Sequence, residues 1–282
     1  YFVVKQFPYR IGASLPIVCI CLFLFNLILA VSSSLNSHAE GFKEFSLNFK
    51  ALFDNSAILA NFTACIVPYI FNHKFVRYRR IVNVIFFGLT AAVLICTYSR
   101  AAVISVIPIY VFTFLRSYSN RKYLLRLAAI FMLVMSTVGL SRFKSDSVEG
   151  RELIWKITLR NIGAIPIYGL GYGMFSQEYP IWQAKYFGGG TYSLKEASLA
   201  DNEGICFNEV LSIYCETGLL GLAVLLGFVV LVAIQTPRKG HESDFYTARL
   251  SMFAVLILSF FSYPLHIPAV QLIQIFSIII FF

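Results

Sequence analysis

Two arginines, one glutamate and one long polar interval are where this sequence carries groups able to do chemistry. Arg100 stands between two apolar runs. A cation there is costly, and it is either paired, functional, or snorkelled out to the membrane interface along its own stem. Arg151 precedes Trp155 by four residues, so one helical face carries both and the guanidinium is expected along the indole. The same helix also fits an amphipathic segment resting on a membrane and presenting Arg151 to a lipid head-group. Glu216, in Tyr214-Cys215-Glu216-Thr217-Gly218, falls about two turns into an apolar run. An acid at that depth is either functional or a helix-packing hydrogen-bond partner.

The polar interval runs from Arg142 to Asn208. Its aromatic residues, glycine turns and helix-like pattern argue for an ordered loop, the kind of long connection that usually carries function. Asp146 or Ser147 is placed to cap a helix starting near Val148. Gly169-Leu170-Gly171-Tyr172-Gly173 lacks the GxGxxG spacing and no buried strand precedes it, so it reads as a tight turn after Pro166 and not as a nucleotide loop. The six cysteines show neither metal-ligand spacing nor a disulfide framework and read as small apolar residues. No metal and no cofactor is expected.

The elements that must position these groups are membrane helices. The chain is 58% hydrophobic and 13% charged with a mean hydropathy of +0.74, against roughly 45–50% and about 25% in soluble domains. Apolar runs fall near 11–32, 57–71, 81–98, 101–115, 123–140, 209–235 and 249–263, and an eighth reaches the end. The fold class is therefore all-α: a polytopic transmembrane helix bundle of about eight spans with one large, partly helical loop over residues 141–208. Residues 1–282 read as a single transmembrane domain. The chain starts at Tyr1 and stops inside an apolar run, so it reads as a fragment of a larger protein.

Charge sets the expected orientation. The net charge of +9 comes without any nucleic-acid motif, and topology accounts for it. Basic turns at Lys5/Arg10, 72–80, 116–126 and 236–248 belong on the cytoplasmic side by the positive-inside rule. Arg100, the long loop and the turn Tyr263-Pro264-Leu265-His266-Ile267-Pro268 then share the outer face, with no nucleic acid as partner.

Four stretches in this order resemble the O-antigen ligase and O-antigen polymerase superfamily of bacterial membrane glycosyltransferases. They are Ser99-Arg100-Ala101-Ala102, Gly150-Arg151-Glu152-Leu153-Ile154-Trp155 with the glycine segment downstream, Phe207-Asn208-Glu209-Val210-Leu211, and Glu216-Thr217-Gly218-Leu219-Leu220-Gly221. The resemblance implies a transferase in the bacterial inner membrane with its site facing the periplasm. It would move a saccharide from undecaprenyl diphosphate to a lipid A core or a growing glycan. By motif, Arg100 and Arg151 are the diphosphate binders, a task suited to planar, charge-assisted hydrogen bonding that needs no metal.

One position departs from the family pattern. Its ligases carry a histidine, the favoured general base, just before the loop-end asparagine, where this chain has Phe207. A phenyl ring accepts no proton. The remaining outer-face candidates are His266, Glu209, Glu203 and Asp201; His266 ranks first because an unperturbed imidazole titrates near neutrality, although a structural turn residue is the plainer reading of it. Glu209, in the first turn of a helix, is held a weak base by the dipole. The missing histidine favours a polymerase or related glycan transferase over a ligase. A lipid-linked glycan flippase or exporter is the alternative, but the chain lacks the internal repeats typical of transporters.

Overall fold

In the computed structural model, the described residues are 2–37, 42–71, 79–117, 145–190, 192–200 and 204–282. The expected span at 123–140, the start of the long loop, and both Asp201 and Glu203 lie outside them. Among the described residues every regular element is a helix. In chain order these are α1 (Phe2–Asn36), α2 (Phe42–Asn48), α3 (Ser56–Phe71), α4 (Arg79–Cys96), α5 (Arg100–Ser117), α6 (Ser145–Arg160), α7 (Phe175–Gly188), α8 (Leu194–Ser198), α9 (Glu209–Ile234), α10 (Glu242–Ser259) and α11 (Pro268–Phe281). Two of them are long and apolar enough to cross a membrane, over Ser14–Asn36 and Glu209–Ile234. Shorter apolar helices lie at Ser56–Phe71, Ile81–Cys96, Arg100–Val111 and Pro268–Phe281.

Several boundaries differ from the apolar pattern. The first helix overruns its apolar run in both directions, and the polar segment after it folds back as α2. Ser33 Oγ donates to Asn48 O at 2.8 Å and Ser34 Oγ to Phe45 O at 3.1 Å, so α1 holds this return by side-chain bonds to main-chain carbonyls. The loop helix α6 begins at Ser145, a turn ahead of the expected start near Val148. α10 begins at Glu242, well before its apolar run, with Glu242 and Asp244 in its first turn. Carboxylates there are favoured by the helix dipole.

The chain divides into two compact units. One takes the described residues up to 117 with Thr236–Leu258 and Pro264–Phe282. The other takes those from 145 to Gln235 with Ser259–Tyr263.

The first unit is organised around α3, which is buried from Leu59 to Phe71. A helix apolar on all sides must be enclosed by others, and α3 packs against α1, α4, α5 and α11. Some of its polar side chains, and those of its neighbours, bond across helices. Tyr69 Oη and Ser277 Oγ lie 2.6 Å apart, and Gln274 Nε2 donates to Ser251 Oγ and Cys65 Sγ, both at 3.0 Å. Thr90 and Tyr110 share a hydrogen bond between α4 and α5.

The second unit has an aromatic core. Phe175, Tyr179, Trp182 and Tyr186 recur at 4-3-4 spacing, which puts all four on one face of α7. They pack with Leu153, Ile154 and Ile157 of α6 and with Cys206 and Cys215. Phe175 stacks on Tyr179 at 5.6 Å and meets Trp182 edge to face at 6.3 Å. The short helix α8 is fastened by polar groups. Ser193 and Glu196 form a capping box, Lys156 Nζ reaches Glu196 at 2.6 Å, and Tyr186 Oη donates to the same carboxylate at 3.1 Å. The Lys156 bond, then the Ser193 backbone, hold the Glu196 carboxyl at about 2.

Candidate functional site

The Ser-Arg pair between the apolar runs at 81–98 and 101–115 is a helix start. Ser99 O accepts from Val103 N at 3.1 Å and Ser99 Oγ from Ala102 N at 3.4 Å, so Ser99 caps α5. The preceding Tyr98 takes a left-handed φ of 50°, which turns the chain sharply between α4 and α5. Arg100 is thus the first residue of α5, half-buried. A cation there adds to the positive end of the helix dipole. That is an unfavourable place for a structural charge and a favourable one for an anion.

Arg151 is held more elaborately. Its Nη1 donates to Phe261 O at 2.7 Å, and its Cζ lies 4.8 Å from the centre of the Phe207 ring. The sequence placed the guanidinium along Trp155. In the structure the Trp155 indole donates its Nε1–H to Cys206 O at 2.9 Å, pinning the residue just before Phe207. Phe207 itself has a left-handed φ of 53° and meets Tyr263 edge to face at 5.3 Å. That backbone state is strained by about 1–3 kcal/mol for a residue with a side chain. The neighbouring asparagine holds it in place. Asn208 Oδ1 accepts from Leu211 N at 3.0 Å, capping α9, while Nδ2 donates to Phe260 O at 3.2 Å. Phe207 is therefore the platform under Arg151.

Beside this platform lies an open, largely apolar groove of about 570 Å³, lined by Trp155, Leu159, Leu211, Tyr214, Leu222 and Phe260 among others. Asn208 lies at its wall, so the groove reaches the same corner as the Arg151 platform.

The glycine segment is the second fixture of the unit. α9 breaks at Gly218, with φ 66° and ψ −156°. A break strands helix carbonyls and N–H groups, which must be satisfied by something else. The loop supplies the partners. Leu170 N donates to Cys215 O at 2.8 Å, Gly171 N to Glu216 O at 2.9 Å, and Leu219 N donates to Ile167 O at 2.9 Å. The two backbones approach so closely that a Cβ on Gly218 would sit 1.9 Å from Ile167 O, and one on Gly169 would sit 2.4 Å from Glu216 C. Both glycines are demanded by this contact. The turn expected after Pro166 is thus a clip onto α9.

A match to the O-antigen ligase family covers residues 85–226, half of the chain, and so takes in Arg100, Arg151, the glycine clip and the Phe207–Glu209 corner. The chain belongs to the O-antigen ligase family. No curated protein matches it. As a member of that family it is a membrane protein of lipopolysaccharide biosynthesis and a glycosyltransferase-like enzyme of the ligase and polymerase group.

The candidate site residues fall into different surroundings. Arg151 and Glu209 belong to the second unit, Arg100 and His266 to the first. Glu209 opens α9 and is only 2% exposed. His266 closes a 3-10 turn, Pro264–His266, just before α11, and is exposed. Cys206 is no nucleophile, because burial pushes its thiol far up from the ordinary value and keeps it protonated. Sequence reasoning missed the main-chain carbonyls of Phe260 and Phe261 and the ring of Tyr263. Carbonyls carry no residue signature, and these lie over fifty positions from Asn208 and Arg151.

Proposed function

We propose that this O-antigen ligase family member transfers a saccharide from undecaprenyl diphosphate to a growing glycan or a lipid A core at the periplasmic face of the inner membrane. The chain crosses that membrane about eight times, with the long loop outside. Arg100 and Arg151 bind the donor diphosphate. Their two guanidiniums supply the positive charge that the departing diphosphate needs, and no metal is required for that step.

The observation that carries the reading is the corner around Arg151. The guanidinium is oriented by Phe261 O and the Phe207 ring, beside an apolar groove bounded by Trp155 and Phe260. An amphiphile with a charged diphosphate and a long hydrocarbon chain has the matching chemistry. With Phe207 occupied as a platform, proton removal from the acceptor hydroxyl falls to His266 ahead of Glu209. His266 is exposed, and Glu209 is enclosed at the head of its helix. The absent loop-end histidine supports polymerisation over ligation.

The test is the surface glycan profile of a deletion strain complemented with wild type or Arg151→Ala. Loss of long chains with single units retained identifies a polymerase; lipid-linked polymer accumulating beside a bare core identifies a ligase. Arg151→Ala, inserted in the membrane at wild-type level, fails to restore the profile. Full restoration by that variant would remove Arg151 from the donor site.

A further inference from the structure

α9 changes character at Gly218. Ahead of the break its buried residues recur every third position, at Glu209, Ser212 and Cys215, and this part is packed into the aromatic core of the loop. Beyond the break Val232 alone is buried, while Leu219, Leu220, Val224, Leu226, Val230 and Ile234 are exposed. One half thus has the surface of a soluble helix and the other that of a lipid-facing one. The whole helix, Glu209–Ile234, extends about 39 Å at ~1.5 Å per residue, well beyond the ~30 Å hydrocarbon core. The part beyond the break, 219–234, extends about 24 Å, closer to that thickness.

The loop clipped to the break is also apolar outside. Ile167 is 70% exposed, Tyr168 74% and Tyr172 90%. Leu170 between them anchors in the core, so the three side chains are displayed by a rigid turn and not by a floppy one. Tyrosine concentrates where an apolar ring and a polar hydroxyl each find their own medium, at the level of the lipid head-groups. We infer that the bilayer surface meets the protein at Gly218, and that Ile167, Tyr168 and Tyr172 are an interfacial clip seating the loop unit on the head-group layer. The occupant is the lipid bilayer, because this patch is continuous with the lipid-facing surface that begins at Leu219. Residues 209–217 then belong to the aqueous loop, and Glu216 lies outside the hydrocarbon and is not an intramembrane acid. The inference concerns where the loop sits and does not depend on the transfer reaction.

Full-length protein in phosphatidylethanolamine–phosphatidylglycerol vesicles, carrying Cys21→Ser and Cys96→Ser, provides the test. A fluorophore is attached at Tyr172→Cys, with Lys185→Cys on the exposed face of α7 and Val224→Cys in α9 as references. At 172 the probe should lose most of its emission to lipids bearing a head-group or shallow-chain nitroxide. At 185 it should respond only to aqueous iodide, and at 224 only to deep-chain nitroxide. Tyr168→Cys serves as an independent second position. Iodide quenching at both 168 and 172 equal to that at 185 overturns the clip. If such probes become protected only when a lipid-diphosphate-linked saccharide is added, the tyrosines bind glycan and the inference fails as well.

Discussion

Around α3, polar side chains answer one another: Tyr69 meets Ser277, and Gln274 bonds to both Ser251 and Cys65, between helices that are otherwise apolar. Around Arg151, main-chain atoms and a ring serve as anchors: Phe261 O and the face of Phe207 for the guanidinium, Phe260 O for Asn208 and Cys206 O for Trp155. On the proposed reading, the contrast separates scaffold from site. A side-chain pair buried between helices fixes their packing and leaves nothing for a ligand. Around the guanidinium, a main-chain carbonyl and a ring face set its orientation. The loop unit also accepts a left-handed phenylalanine and a broken helix, strains that persist only where the surroundings enforce them.

The contrast can be broken most severely at the arginines. Arg151→Ala and Arg100→Ala should each cut transfer by about 10²–10³-fold, the usual loss when a donor to developing charge is removed. Lysine should rescue only partly, because a point charge lacks the guanidinium fork. Transfer measured on purified donor with inserted protein decides it, and a fully active alanine variant would make that arginine part of the scaffold.

Next in size is Gly218→Ala. The added methyl would meet Ile167 O and the residue would be held at a positive φ, so the loop unit should lose more than about 2 kcal/mol. Limited proteolysis of the 145–208 segment reads this directly. An unchanged digestion pattern would mean that the clip contributes nothing to the unit.

His266→Ala, with His266→Gln as the isosteric control, should slow transfer at least about tenfold if the imidazole is the base. Unchanged rates in both variants would shift the search to Glu209, Glu203 and Asp201.

In the scaffold, Gln274→Leu removes two interhelical hydrogen bonds. Such bonds average about 0.6 kcal/mol in membrane helices, so melting should come slightly earlier while transfer per folded molecule stays the same. A loss of transfer without a loss of folding would place this network in the site and erase the contrast.

The smallest effect concerns pH. The Glu196 carboxyl, held at about 2 by Lys156 and the Ser193 backbone, is a depressed acid. Its contribution to anchoring α8 is complete above the ordinary carboxylate range near pH 4.5. It fades as pH falls from there toward 2. Hydrogen exchange over Leu194–Ser198 should accelerate across that window in wild type, and Glu196→Gln should abolish the dependence.

Much of this molecule was determined by sequence alone, because the signals are local. Apolar runs mark helices, and four short motifs in order place the chain in its family. The break between apolar runs at Ser99-Arg100 is also local, since a cap and the residue after it are neighbours. Tertiary structure alone decided the rest. It set Arg151 over Phe207, enclosed Glu209 at the head of α9, and turned a glycine-rich turn into the clip that completes a broken helix. These features join residues about fifty to over a hundred positions apart through carbonyls, N–H groups and ring faces. Every residue carries the same main-chain groups, so their pairing leaves no pattern in the sequence until the chain has folded.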